Sequence, residues 1–178
     1  MKFNQILLFL VLQFILINSS YSHTPYRQWE LFRKTHLLIL TSHSDLEADA
    51  VGEVWAKILQ KKLPKSKAMV SRARDVRRVA SLLKTDQFKL AILSYSHANN
   101  MSKGKYPFEE FNPIDLKILI DNGKQLLITR GNLPIEHGYL ITSTLLKDAS
   151  TLKLFVPENG KFGINLHPGA LEALKTIK

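Results

Sequence analysis

Cysteine is absent from all 178 residues of this chain. That excludes disulfides and a thiolate nucleophile, and it excludes a lipid-anchored export signal, which needs a cysteine at its cleavage point. Stability must therefore rest on a packed core. Glycine is sparse, at 8 residues, and never gathers into a phosphate-binding loop or a Gly-x-Ser-x-Gly elbow. No internal repeat, low-complexity segment or long basic tail is present. The longest apolar run falls short of the roughly 20 residues that a comfortable bilayer span needs. These absences leave little with which to build an enzyme, and none is expected.

What is present begins with an export signal. Lys2 is followed by an apolar run from Ile6 to Ile17, broken only by Gln13, and then by the polar stretch Asn18-Ser19-Ser20-Tyr21-Ser22. Ser20 and Ser22 set small residues at the spacing a signal peptidase reads, so residues 1–22 are expected to be a signal peptide cleaved before His23. No stable membrane insertion is expected after cleavage. Residues 23–178 suit one domain with one core. Lys2 is the only charged residue removed, which leaves 24 Lys and Arg against 15 Asp and Glu, a net charge of +9. Such a charge favours anionic partners. Export makes nucleic acid an unsuitable one.

Downstream, apolar runs and helical periods alternate. Leu37-Leu38-Ile39-Leu40 reads as a buried strand. Ser44 and Glu47 form a capping box for a helix whose apolar face is Ala48, Val51, Val54, Trp55, Ile58 and Leu59, and Pro64 ends it. Lys67 to Ser71 reads as a second strand. Asp75 caps a second helix with Val76, Val79, Ala80 and Leu83 on one face. Phe88 to Leu93 makes a third strand and ends in the polar loop Ser94 to Asn100. Strand and helix in alternation predict an α/β fold, a mainly parallel three-layer sheet with helices on both faces. Tyr106 to Pro113 reads as a loop. The segments Leu116 to Ile120 and Gln125 to Thr129 flank Asn122-Gly123 and predict a β-hairpin. Pro134 opens a third helix to about Lys147. Pro168 opens a last one, with His167 at its cap.

Ligands of open α/β sheets bind beyond the carboxyl ends of the strands. Here those ends are Thr41 to Ser44 and Ser94 to Asn100, rich in hydroxyls, amides and imidazoles. The helix starting at Ser44 points free amide donors at that edge, although Asp45, Glu47 and Asp49 already place negative charge there. The alternative is a pair of ordinary capping loops. His43 and His97 fall on the same edge, and His137 and His167 open later helices, but their spacing matches no compact metal motif. A metal protein or small hydrolase would need His43 and His97 to converge with a carboxylate such as Asp45. No metal or cofactor is expected. Arg72, Arg74, Arg77 and Arg78 form the densest basic cluster, either a solvated strand end and helix face or a surface for an acidic partner.

The order of elements up to "KLAILSYSHANN" resembles the first lobe of type II periplasmic solute-binding proteins. The closing "LPIEHGYLITSTLLKDAS…INLHPGALEALK", with His167-Pro168-Gly169-Ala170, is more specific. It is similar to the carboxyl-terminal part of the TAXI family, the solute receptors of tripartite ATP-independent (TRAP) transporters. The resemblance covers residues 36–130 as lobe one and 132–176 as the returning tail. It implies a periplasmic domain that binds a small organic anion, a carboxylate, and delivers it to a membrane permease subunit. By position Ser42, His43, Ser44, Tyr95, Ser96 and His97 would bind it. The chain lacks the roughly 120 to 150 residues of a second lobe of ordinary domain size, and Asn122-Gly123 sits where the crossover to it would fall. A single lobe offers an open shelf, and an accessory protein that binds another protein and has lost the ligand is the alternative.

Overall fold

The computed structural model describes residues 34–177. The expected signal peptide lies outside them. Twelve elements follow in order: β1 (Leu38–Ser42), α1 (Leu46–Lys62), β2 (Met69–Ala73), α2 (Val76–Lys84), β3 (Leu90–Ser94), α3 (Tyr95–Lys103), β4 (Leu116–Asp121), β5 (Gln125–Arg130), α4 (Ile135–Leu146), α5 (Ala149–Leu152), β6 (Asn165–Leu166) and α6 (Pro168–Ile177). The six strands form one sheet in the order β2-β1-β3-β5-β4-β6. Every neighbouring pair is parallel except the two made by β5, which runs against both β3 and β4. The α/β expectation holds.

Burial explains the run-like strands. All five residues of β1 are buried, as a strand covered on both faces requires. One face carries Ile39, Leu90, Ile92 and Leu127 into a core with Trp55 and Leu59 of α1, Ile141 and Leu145 of α4 and Ala170 of α6. Alternation sends Leu40, Ala91, Leu93, Leu126 and Ile128 to the other face, where α2 and α3 pack. Gly52 lets α1 lie close to the sheet, since a Cβ there would stand 2.9 Å from Thr41 Cγ2.

Three local expectations need correction. The capping box at Ser44 does not form: Asp45 is the cap of α1 and its Oδ1 accepts from the Ala48 N–H at 2.9 Å, while Ser44 turns back to Ser42. The second strand starts two residues late, because Lys67 closes a 3₁₀ turn in the left-handed region at φ 46°. The stretch after β3 is not a loop but α3. Ser94 caps it, and Gly104, at φ 61°, ends it.

Asp75 caps α2 as its position suggested, accepting from the Arg78 N–H at 2.8 Å. That backbone hydrogen bond first, then the one from Arg74, holds its carboxyl below the ordinary carboxylate range. A lowered folded-state value means stability that is present above the unfolded value of about 4 and lost as pH falls through the folded one. Asp75→Ala is therefore expected to cost about 1 kcal/mol at neutral pH, and less at pH 3. Urea melts at both pH values check this.

Candidate functional site

β1 and β3 are adjacent and parallel, with Ile39 beside Leu90, so their carboxyl ends meet one edge of the sheet. All six expected ligand residues lie there. Among the described residues no hydrogen bond joins the β1 group to the β3 group.

After β1, Ser42 is buried and Ser44 and His43 are exposed. The two serine hydroxyls stand 2.8 Å apart, and the Ser44 N–H donates to Ser42 Oγ at 3.2 Å, a turn that holds both in place. The His43 N–H is tied to the Ala73 carbonyl of β2 at 2.9 Å, which leaves the imidazole outward. Beside them Thr41 Oγ1 donates to Asp49 at 2.9 Å, and Arg72 bridges Asp49 and Glu53. Burial raises the Asp49 carboxyl, but hydrogen bonds from Arg72 and Thr41 together outweigh it and hold the group below its ordinary range. The amino end of α1 is thus filled by its own acids, Asp45, Glu47 and Asp49. Three of the four clustered arginines are also ion-paired: Arg72 here, Arg74 with Asp75 at 3.0 Å and Arg77 with Glu110 at 2.7 Å.

After β3 the arrangement differs, because the first turn of α3 carries no acidic residue. Ser94 Oγ accepts from the His97 N–H at 3.4 Å and lies 3.1 Å from His97 Nδ1 and 3.2 Å from the exposed Ser96 Oγ. The His97 ring meets Phe108 edge-on at 6.1 Å. Tyr95 points away from these groups. Its hydroxyl donates to the buried Asp121 at the end of β4, and its ring stacks on Phe162 at 4.2 Å. Burial, then the hydrogen bond to the Asp121 carboxylate and its charge, push the phenol well above its ordinary value. Tyr95 is therefore a fixed neutral donor rather than a base.

His43 and His97 do not come together with Asp45. Among the described residues no three His, Asp or Glu side chains gather as a cation site. His167 serves the interior instead: buried, with Nε2 donating to the Leu133 carbonyl at 3.0 Å and Nδ1 accepting from the Gly169 N–H at 3.1 Å.

Asp121, Phe162 and Gln125 are the residues that sequence reasoning missed. Gln125 faces Ser94 across the β3–β5 pair. Asp121 lies between the expected strand Leu116 to Ile120 and the Asn122-Gly123 turn, where nothing local marks it, while Phe162 lies too far along the chain for any local pattern to connect it with Tyr95. Among the described residues no helix is long and apolar enough to cross a membrane. Compared with known proteins, the chain matches no protein-family model and no curated protein.

Proposed function

We propose that this protein is an exported, non-enzymatic binding domain of the solute-receptor type, its described residues equivalent to one lobe. It takes a small organic anion, a carboxylate, at the carboxyl edge of its sheet and presents it to a membrane permease of the TRAP type. The observation that carries the reading is that Ser42, His43 and Ser44 stand at the end of one strand and Ser96 and His97 at the end of the parallel strand beside it, on the same edge of the sheet. The β3 end is the better seat of the two. Its helix start holds hydroxyls and an imidazole with no acid in the first turn, where anions are stabilised by the dipole. The sheet supports the reading too, since its one reversed strand, β5, is the return limb of the hairpin at Asn122-Gly123.

One observation favours a second reading, an accessory that binds another protein in the same exported compartment. Ser42 with Ser44, and Ser94 with His97, already satisfy each other, and α1 fills its own anion seat.

Thermal denaturation of the purified protein against a panel of small carboxylates separates the two. Binding to the folded state alone stabilises by about 2.7 kcal/mol at one hundred times the dissociation constant. A raised midpoint with one carboxylate, lost in Ser96→Ala and His97→Ala, is the expected result. A cooperative melt that no carboxylate shifts overturns the receptor reading and leaves the accessory. The intact mass of the recovered protein, expected to begin at His23, tests export in the same preparation.

A further inference from the structure

Asp121 is fully buried, yet only one of its carboxylate oxygens is used. Oδ1 accepts from the Tyr95 hydroxyl and from the Gly123 N–H at 2.7 Å. Oδ2 has no hydrogen-bond partner. One turn along α3, Asn99 Oδ1 is a second buried acceptor without a donor. An amide turned end for end could relieve Asn99, but a carboxylate has no such escape, so the inference rests on Asp121.

The segment above these acceptors is held in an unfavourable backbone. Phe162 sits in the left-handed region, at φ 63° and ψ 11°, where a bulky side chain rarely goes. That conformation lays its ring on Tyr95, 4.2 Å away and within 21° of parallel. Gly163 follows against α3, where an added Cβ would stand 3.7 Å from Asn99 Oδ1. The Asp121 backbone is bridged in both directions by Phe155, at 2.8 and 2.9 Å. The surroundings suit a cation: Lys161 Nζ already lies 5.2 Å from the Phe162 ring centre and 5.7 Å from that of Phe155. Tyr95 joins the two halves, its hydroxyl on Asp121 and its face under Phe162.

We propose that Phe162 plugs a binding site for an amine that carries a planar ring. When Phe162 lifts, the ligand's ring takes its place on Tyr95 and the ligand's ammonium donates to Asp121 Oδ2. The exchange relieves the left-handed backbone and gives the orphaned oxygen its donor. This site is separate from the carboxylate seat at Ser96 and His97, so failure of either leaves the other standing.

Phenethylamine is the probe, with 3-phenylpropionate as its partner of similar shape and opposite charge. Both are titrated calorimetrically into the wild-type protein and Phe162→Gly, which removes the plug and suits a positive φ. Phenethylamine is expected to bind Phe162→Gly at least tenfold more tightly than wild type, with no such gain for 3-phenylpropionate. Asp121→Asn in the same background keeps an acceptor for Tyr95 and Gly123, and it should abolish the gain. If Phe162→Gly does not melt cooperatively, Phe162→Asn, which also tolerates left-handed backbone, takes its place. A cooperatively folding plug variant that binds the amine no better than the acid, or amine binding that survives Asp121→Asn, overturns the proposal.

Discussion

Replacing Gly169 by alanine is expected to cost about 3 kcal/mol, at the upper end of what overpacking a core usually costs, read as a lowered urea midpoint. A methyl group there would overlap the Ile135 carbonyl and the Tyr139 amide of α4. Backbone does not rotate away as a side chain does, so α6 would have to move off α4. The stiffening of the unfolded chain by alanine, worth at most about 1 kcal/mol in the opposite direction, does not compensate. Gly138 sits on the other side of the same contact, where a Cβ would run into the His167 ring.

Each residue of His167-Pro168-Gly169-Ala170 thus has a mechanical reason to be there. His167 ties the Leu133 carbonyl to the Gly169 amide, Pro168 starts the helix with its fixed φ, Gly169 allows the approach to α4, and Ala170 is fully buried. This segment is therefore a helix-packing device, and a test of ligand binding belongs at the sheet edge.

The sequence made local structure legible where one principle dominated. β1, α1, α2 and the hairpin follow from apolar runs, a 3.6-residue period, a cap at Asp75 and an Asn-Gly turn. α3 was illegible because it buries only Ala98 and Met101, too few apolar positions to show a period, and its polar residues read as a loop. Ser44 was a plausible cap until Asp45, one residue on, proved to hold the Ala48 amide. The insertion of β5 between β3 and β4 is also beyond local pattern, since a hairpin says that two strands pair and not which limb joins the rest of the sheet. The site divides in the same way. Strand ends and their hydroxyls were visible in order along the chain, whereas Tyr95, Asp121 and Phe162 meet only through contacts 26 and more residues apart.

Even the clearest helix shows where periodicity stops and packing decides. Val54 and Trp55 both belong to the apolar face that a 3.6-residue period draws on α1, yet the structure leaves Val54 43% exposed and Trp55 only 2%. Trp55 enters the core that Leu59, Ile141, Leu145 and Leu154 share, joining α1 to α4 and the chain beyond it. Trp55→Ala is therefore expected to lose about 4 kcal/mol, the transfer free energy of the indole plus the cavity it leaves. Val54→Ala should lose under about 1 kcal/mol, as a half-solvated methyl pair does. With a urea slope of about 2 kcal/mol per molar, the tryptophan variant melts about 2 M earlier and the valine variant within about 0.5 M of wild type. Equal losses from the two would mean that α1 is rotated by part of a turn from the facing described here. The polar start of α1 would then rotate with it, and the edge built from Ser42, Ser44 and Asp45 would have to be drawn again.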